Sequence, residues 1–495
     1  MRFFETADTV RQARQAFDDA GFTLDAIAER LGAHVFAHLA AGETAPLVRA
    51  TRAGDRLDVL ARLFLVGAPV PVRDAAVALA PLPTAAWVAG GLVAVDDDVA
   101  RGLVTIRPLG DDAEQLVAHD MSIGTGTARS DHVLGISAST LALAGATIRR
   151  PIDAALDLGT GCGIQAVHAA THATRVVAVD LNPRAVAMAT LTMELNAIDR
   201  VSVREGDRFD PVDGDQFDLI VANPPFVISP SQRYLFRDSG LPIDDMCRSI
   251  VQSAPARLAV GGHCQLLASW AHVAGEDWRA RLAAWFADTG CDALVLERET
   301  LEPGEHTASW LRQTEPPGLW AAEYDTWMGY LDTNNVEAVA FGLITMRRRD
   351  GGAPWFRAES ASQDFAMPCG DHLGATFELA DFLDTHPATA LLDVALRVAP
   401  DVVLDDRSRA TPDGWLTSQR QLRQTAGLRN EGEVDPAVAA IVAACDGHRR
   451  LGDILATVAT TSDVDLDAMV RAALPIVRRL VEQAFLLPGD GAAPT

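Results

Sequence analysis

Four short runs between residues 153 and 226 hold the side chains whose types and spacing could do chemistry. Asp157-Leu158-Gly159-Thr160-Gly161-Cys162-Gly163 follows an apolar run. Arg175–Asp180 is a β-branched run ending in a carboxylate, and Val201–Asp207 ends in another. Phe217–Phe226 closes on Asn223-Pro224-Pro225-Phe226. The glycines permit a sharp turn and the close approach of a ligand, because a Cβ there would collide with it. A carboxylate at a strand end about 20 residues on can take both hydroxyls of a ribose. In the last run, the Asn223 side-chain oxygen and the Pro224 carbonyl can accept the two N–H groups of an amide or aromatic amine. That fixes the nitrogen and turns its lone pair towards an electrophile. Proline has no N–H to satisfy and a locked φ, so the carbonyls are held outward. Phe226 offers a face for a planar acceptor to stack on. Catalysis is then mostly positioning and needs no nucleophilic side chain.

Between these runs, Ile164–Thr171 and Pro183–Asn196 repeat apolar residues at helical spacing. Strand, Gly-rich turn, helix and acid-ended strand begin a doubly wound, mostly parallel α/β sheet whose ligands sit at the carboxyl ends of the strands. The glycine spacing, Gly159-x-Gly161-x-Gly163, departs from the G-x-G-x-x-G of a dinucleotide site. Singly, each signal has a plain structural reading. Gly-rich turns are common, Asn-Pro-Pro breaks loops, and an acid at a strand end can simply be solvated. Their order and separations carry the argument.

The four together resemble the Rossmann-like S-adenosylmethionine-dependent methyltransferases over residues 115–350. They look most like the Asn-Pro-Pro-aromatic branch, which includes release-factor glutamine, ribosomal-RNA guanine and DNA adenine methyltransferases. The resemblance implies a seven-stranded sheet and S-adenosyl-L-methionine as cofactor. It implies that Asp157, Gly159, Thr160, Gly161 and Gly163 line the methionine end. Asp180 would hold the ribose, Leu181 flank the adenine, and Asp207 accept from the adenine amino group. Asn223, Pro224, Pro225 and Phe226 would face the methyl acceptor, with Asn223 also bordering the cofactor. Phe226 stands where the glutamine-methylating group usually has tyrosine, which puts a glutamine acceptor in doubt.

At 495 residues the chain suggests two or three domains. Its formal charge is −25, and it has no lysine, every residue of the Lys+Arg count being arginine, which reads as coding bias. Such acidity repels nucleic acid, so duplex DNA is not an expected partner and a protein or peptide acceptor is favoured over RNA. Arg347-Arg348-Arg349 is the one basic triple and reads as a solvated strand end. Six scattered cysteines with no Cys-x-x-Cys pair, no signal-peptide pattern and no long apolar span imply free thiols in the cytoplasm, no metal and no membrane.

Residues 1–112 read as a helical, winged-helix-like domain. Helices are expected over Val10–Ala20, Leu24–Leu31, Asp55–Val66 and Arg73–Leu79, and a hairpin of Trp87–Val95 with Gly102–Arg107. Residues 113–350 are the methyltransferase-like part. Within it Ser122–Ser130 is a small-residue loop, and His132 is the titratable residue that invites a general-base role, although a loop histidine is more often structural. Val227–Gly240 is expected to wall the acceptor. Trp310, Trp320, Tyr324, Trp327 and Tyr330 either cover the cleft or pack a satellite core. Asp350–Pro354 reads as a linker to a C-terminal, winged-helix-like α+β domain over 351–495, with helices expected over Pro436–Ala444, Leu451–Val458 and Leu466–Phe485. Three functions fit: N-methylation of a protein, peptide or RNA nitrogen, methylation of a small metabolite or natural product, or non-catalytic cofactor sensing. An intact tetrad argues against the last.

Overall fold

Residues 154–158, 176–179 and 219–222 are buried throughout and, apart from Asp157, apolar, as in strands covered on both faces. In the computed structural model, which describes residues 2–40, 44–110, 114–121, 129–316, 318–361, 364–412 and 414–489, they form the centre of a large sheet. Its strands, numbered along the chain, are β1 (Ile152–Leu158), β2 (Ala173–Asp180), β3 (Val201–Glu205), β4 (Phe217–Ala222), β5 (Leu258–Val273), β6 (Cys291–Leu301), β7 (Val336–Arg348) and β8 (Phe356–Ser360). Their order is β8-β6-β7-β5-β4-β1-β2-β3. β1 to β5 run parallel, and β7 inserts antiparallel between β5 and β6. The helices that matter for the site are α1 (Ile164–Ala169), α2 (Pro183–Leu195), α3 (Asp245–Ser253), α4 (Pro303–Thr314) and α5 (Trp320–Thr333).

The sheet has eight strands rather than the expected seven. Asp350–Pro354, expected to be a linker, is the turn between β7 and β8, with Gly351 and Gly352 both at positive φ (86° and 79°). Turn chemistry is the same for a reversal inside a sheet as for a domain boundary. The compact units divide between Glu359 and Ser360, with Ala144–Arg149 joining the second, so neither expected boundary coincides with the division. Residues 1–112 share the first unit because one apolar cluster runs from Phe17, Phe64 and Trp87 to Met188 and Leu191 on α2.

Helix Ala7–Asp19 starts at a Thr6–Thr9 capping box, and Arg56–Val66 at the Asp55 cap. The expected strand Trp87–Val95 is instead helix Thr84–Ala89 followed by strand Val93–Asp96, which pairs with Val99–Gly102. Val104–Pro108 pairs with Leu116–Asp120, not within that hairpin. Burial of Trp87 among Phe4, Phe17 and Phe64 outweighs its strand propensity. Among the described residues no helix is long and apolar enough to cross a membrane, and all six cysteines are buried free thiols.

The second unit has helices Gly370–Thr385, Pro436–Ala444, Leu451–Ser462 and Leu466–Glu482. One three-stranded sheet has Ala395–Val398 between Asp446–Arg450 and Leu486–Pro488. Another joins Val402–Thr411, Gly414–Gln424 and Glu431–Glu433. The last three helices match the sequence expectation; Gly370–Thr385 has no counterpart in it.

Gly342 sits on β7 between β5 and β6, where a Cβ would lie 2.2 Å from the Leu296 carbonyl oxygen and 2.7 Å from the Trp270 ring. Gly342→Ala is expected to cost about 1–3 kcal/mol of stability, as overpacked cores do. A thermal melt with an unchanged midpoint would contradict this packing.

Candidate active site

The sheet register assembles the site. Leu158 pairs with Val179 on one side and Ala222 on the other, so Gly159, Asp180 and Asn223 follow directly at three adjacent strand ends. The Gly159 and Thr160 N–H groups both donate to the Val179 carbonyl at 2.9 Å, and Gly161 N–H donates to Asp180 Oδ2 at 2.8 Å. The turn is thereby wrapped around the end of β2. It can take this path because Gly159, Gly161 and Gly163 hold φ values of 74°, 55° and 86°. A cavity of about 470 Å³ opens over these strand ends, a size suited to a small cofactor with part of a second reactant.

Gly159, Thr160, Gly161, Asp180, Leu181, Asp207, Asn223, Pro224, Pro225 and Phe226 all line the cavity. Asp157 and Gly163 do not, and both shape the turn instead. Asp157 accepts from the Thr160 hydroxyl at 2.5 Å and from Ala166 N–H at 3.0 Å. Burial pushes its carboxyl up to about 7, against the pull of those hydrogen bonds. Gly163 precedes α1, where a Cβ would lie 2.9 Å from Met193 Cε. Burial also raises Asp180, whose other oxygen accepts from Asn182 N–H at 2.9 Å; each oxygen keeps a lone pair for a hydroxyl. Leu181 is exposed at the cavity. Asp207 is bound by the Arg208 guanidinium at 3.2 and 3.0 Å.

At the other end, no group among the described residues hydrogen-bonds the Asn223 amide, so its oxygen is available. The Asn223 carbonyl lies 3.8 Å from where a Cβ on Gly159 would stand, which brings the turn and the tetrad to one place. Phe226 is tilted against Phe341, at 5.3 Å between centroids. His132 lines the cavity and is buried, which pushes its pKa down. Asp120, 3.8 Å from Nδ1, opposes that shift but is itself bound by Arg184 and by Val133 N–H. Ser122–Ala128 lies outside the described residues. Of the five aromatics, Trp310 lines the cavity, whereas Trp327 is buried in a satellite cluster.

Leu235, Phe236, Asp238 and Ser239, from the Val227–Gly240 loop expected to wall the acceptor, line the cavity; Leu241, and Met246 and Ile250 on α3, also line it, although the sequence does not single them out. The i, i+4 spacing of the last two is visible as a helix stripe, without indicating what it faces.

Residues 138–277 match the methyltransferase small domain family. The central region is a methyltransferase domain. Residues 19–103 and 374–488 match two families described only as domains of unknown function (DUF7059 and DUF7782). The chain is similar to the release factor glutamine methyltransferase of Geobacter sulfurreducens (strain ATCC 51573 / DSM 12127 / PCA), at 34% identity over 33% of this chain and 62% of that one. It is also similar to the ribosomal protein uL3 glutamine methyltransferase of Bradyrhizobium diazoefficiens, at 34% over 24% of this chain and 42% of that one. A third relative is the ribosomal protein L11 methyltransferase of Desulfitobacterium hafniense, at 38% over 24% and 36%. The chain thus spans from about a third to three fifths of these relatives' lengths. A putative methyltransferase structure from Bacillus halodurans covers 43% of this chain and is itself covered in full. Its identity is 15% and its TM-score 0.30, too low to add to the topology above.

Methyltransferases of this kind use S-adenosyl-L-methionine, and the methyltransferase domain fits it. Nothing lies within 4 Å of a Cβ position on Gly161, so the backbone there is open to close approach. Asp180→Ala is expected to weaken S-adenosylhomocysteine binding by roughly 2–4 kcal/mol, the worth of two hydrogen bonds to a charged group. Unchanged affinity by calorimetric titration would remove Asp180 from the site.

Asp157 gives a pH test. Its native pKa lies above its ordinary value, so its contribution to stability is full below pH 3.8 and is lost as pH rises through about 7. Asp157→Asn keeps one acceptor oxygen and removes that loss. The variant should gain on the order of 1–3 kcal/mol relative to the parent between pH 5 and pH 8. Parallel melting curves across that range would contradict the burial argument.

Proposed function

We propose that the protein transfers the methyl group of S-adenosyl-L-methionine to an amide or amino nitrogen of a protein or peptide. The observation that carries this reading is the unengaged Asn223 amide, in register with Gly159 and Asp180 in one cavity. When bound, the cofactor supplies a methyl group on a positively charged sulfur, already a good electrophile.

The chain's own residues do the remaining work. Gly161 and Asp180 hold the donor side, and the Asn223 oxygen and Pro224 carbonyl take the two N–H groups of the acceptor. The amide lone pair, otherwise delocalised, is turned towards the methyl carbon. Phe226 stacks on the acceptor plane and helps exclude water. As the new N–C bond forms, the S–CH3 bond would break with its electron pair left on sulfur as a neutral thioether, and the displaced proton would pass along the hydrogen bond to the acceptor oxygens and on to solvent.

A protein acceptor is favoured over RNA by charge. Net charge is −25, and Arg208, the arginine among the described lining residues, is already paired with Asp207. The three relatives named above methylate a release factor or ribosomal proteins.

Asn223→Ala should leave S-adenosylhomocysteine affinity nearly unchanged and lower turnover by about 10²–10³, the usual effect of losing one preorganised polar group at the reacting centre. The assay is incubation of cell extract with methyl-labelled cofactor, followed by separate nuclease and protease digestion. Label released by protease supports the reading. Label released only by nuclease, or full turnover in the variant at saturation, sinks it.

A further inference from the structure

Residues 229–241 have no regular secondary structure, yet they deliver Leu235, Phe236 and Leu241 to the cavity. Leu235 is 43% and Leu241 37% exposed. Apolar groups so poorly covered hold a position only if the backbone beneath them is fixed from behind.

The group behind them is Arg237, only 1% exposed. Its Nε donates to Asp238 Oδ1 at 2.7 Å and its Nη2 to Oδ2 at 3.0 Å. Its Nη1 donates to Thr314 Oγ1, at the end of α4, at 2.6 Å. The guanidinium lies 5.0 Å from the Tyr234 ring centroid and 5.1 Å from that of Trp327 on α5. Asp238 in turn accepts from the Arg233 and Tyr234 N–H groups and the Ser229 hydroxyl, each at 3.0 Å. Three further links tie the loop to α4 and its C-cap: Arg233 to Glu315 at 2.6 Å, the Tyr234 hydroxyl to the Thr314 carbonyl at 3.2 Å, and His306 to the Ile228 carbonyl at 3.0 Å.

A buried ion pair is a costly way to hold a loop if stability is all that is required, because apolar residues would do as well. Its distinctive property is geometry: a planar fork joins the loop's own carboxylate and a neighbouring helix in one arrangement that lysine cannot reproduce. The loop it fixes begins three residues after the end of the acceptor clamp.

We propose that Arg237 is a positioning residue for the methyl acceptor. It locks residues 229–241 onto α4 and α5, so that Leu235, Phe236 and Leu241, with Asp238 and Ser239 between them, stand as a wall for the acceptor beside Asn223 and Phe226. This rests on the reading of the tetrad as the acceptor clamp. The donor side, built on β1 and β2, makes none of these contacts; the loop reaches towards it through Leu235 N–H to the Ser130 carbonyl at 3.0 Å, a bond that does not involve Arg237.

The test uses the 495-residue chain with Arg237→Lys, Thr314→Val and Thr314→Ser. Hydrogen exchange at the amides of Tyr234, Leu235 and Asp238 reads the lock without any acceptor. Calorimetry with S-adenosylhomocysteine reads the donor side. Methyl transfer into the nuclease-treated protein fraction of a bacterial extract, titrated as total protein, reads the acceptor. In Arg237→Lys, exchange and half-saturating acceptor should each rise about tenfold, the scale of one lost charged hydrogen bond. Cofactor affinity and maximal rate should stay within about threefold. Thr314→Val should shift the same way by less, and Thr314→Ser should match the parent.

Unchanged exchange overturns the lock. Faster exchange with unchanged half-saturation makes Arg237 merely structural and overturns its positioning role. A parallel loss of cofactor affinity does the same, since the effect would then be global. No protein labelling by the parent enzyme would contradict the proposed function instead, and the exchange measurement would still decide the lock.

Discussion

The cavity depends on how the end of β2 holds the turn after β1. Two N–H groups converge on the Val179 carbonyl and a third on Asp180, so the Gly-rich segment has one path across the strand ends. That path keeps Asp157 out of water and raises its pKa, at a cost in stability that builds up as pH rises towards about 7. A site that must bind a cationic sulfonium gains from buried carboxylates nearby, because their field is poorly screened there. Asp180 lines the cavity itself, and Asp157 lies buried directly beneath the turn.

The acceptor side is built by different means. The tetrad needs little support, since two prolines have few backbone freedoms to restrain. The loop after it needs much, and receives it from a segment inserted between β6 and β7. Donor and acceptor halves thus share the sheet register and draw most of their bracing from different elements; they meet where Leu235 N–H donates to the Ser130 carbonyl and Asn182 to the Asp131 carbonyl.

The donor half is legible in the sequence because glycine spacing and acid-ended strands are local signals. So are the tetrad and most of the strands and helices of the sheet. The role of Asp157 is not, since a carboxylate facing inward and one facing a ligand read alike in sequence. Arg237 and Asp238 look like part of an ordinary polar loop; their burial depends on Thr314 and Trp327, some 80 residues away. Trp87 reads as a strand residue for the same reason: its partners, Phe4, Phe17 and Phe64, are distant in the chain. The Asp350–Pro354 turn reads as a boundary because Gly and Pro mark a chain reversal whether a strand or a new domain comes next.

The central claim is that the acceptor atom is a nitrogen held by Asn223. Chemical degradation of methyl-labelled product, isolated from protein, tests this most directly. Acid hydrolysis should release the label as methylamine if it sits on an amide nitrogen, or leave it in an N-methyl amino acid if it sits on an amine. Release as methanol under mild base would place the methyl on a carboxylate oxygen and contradict the account.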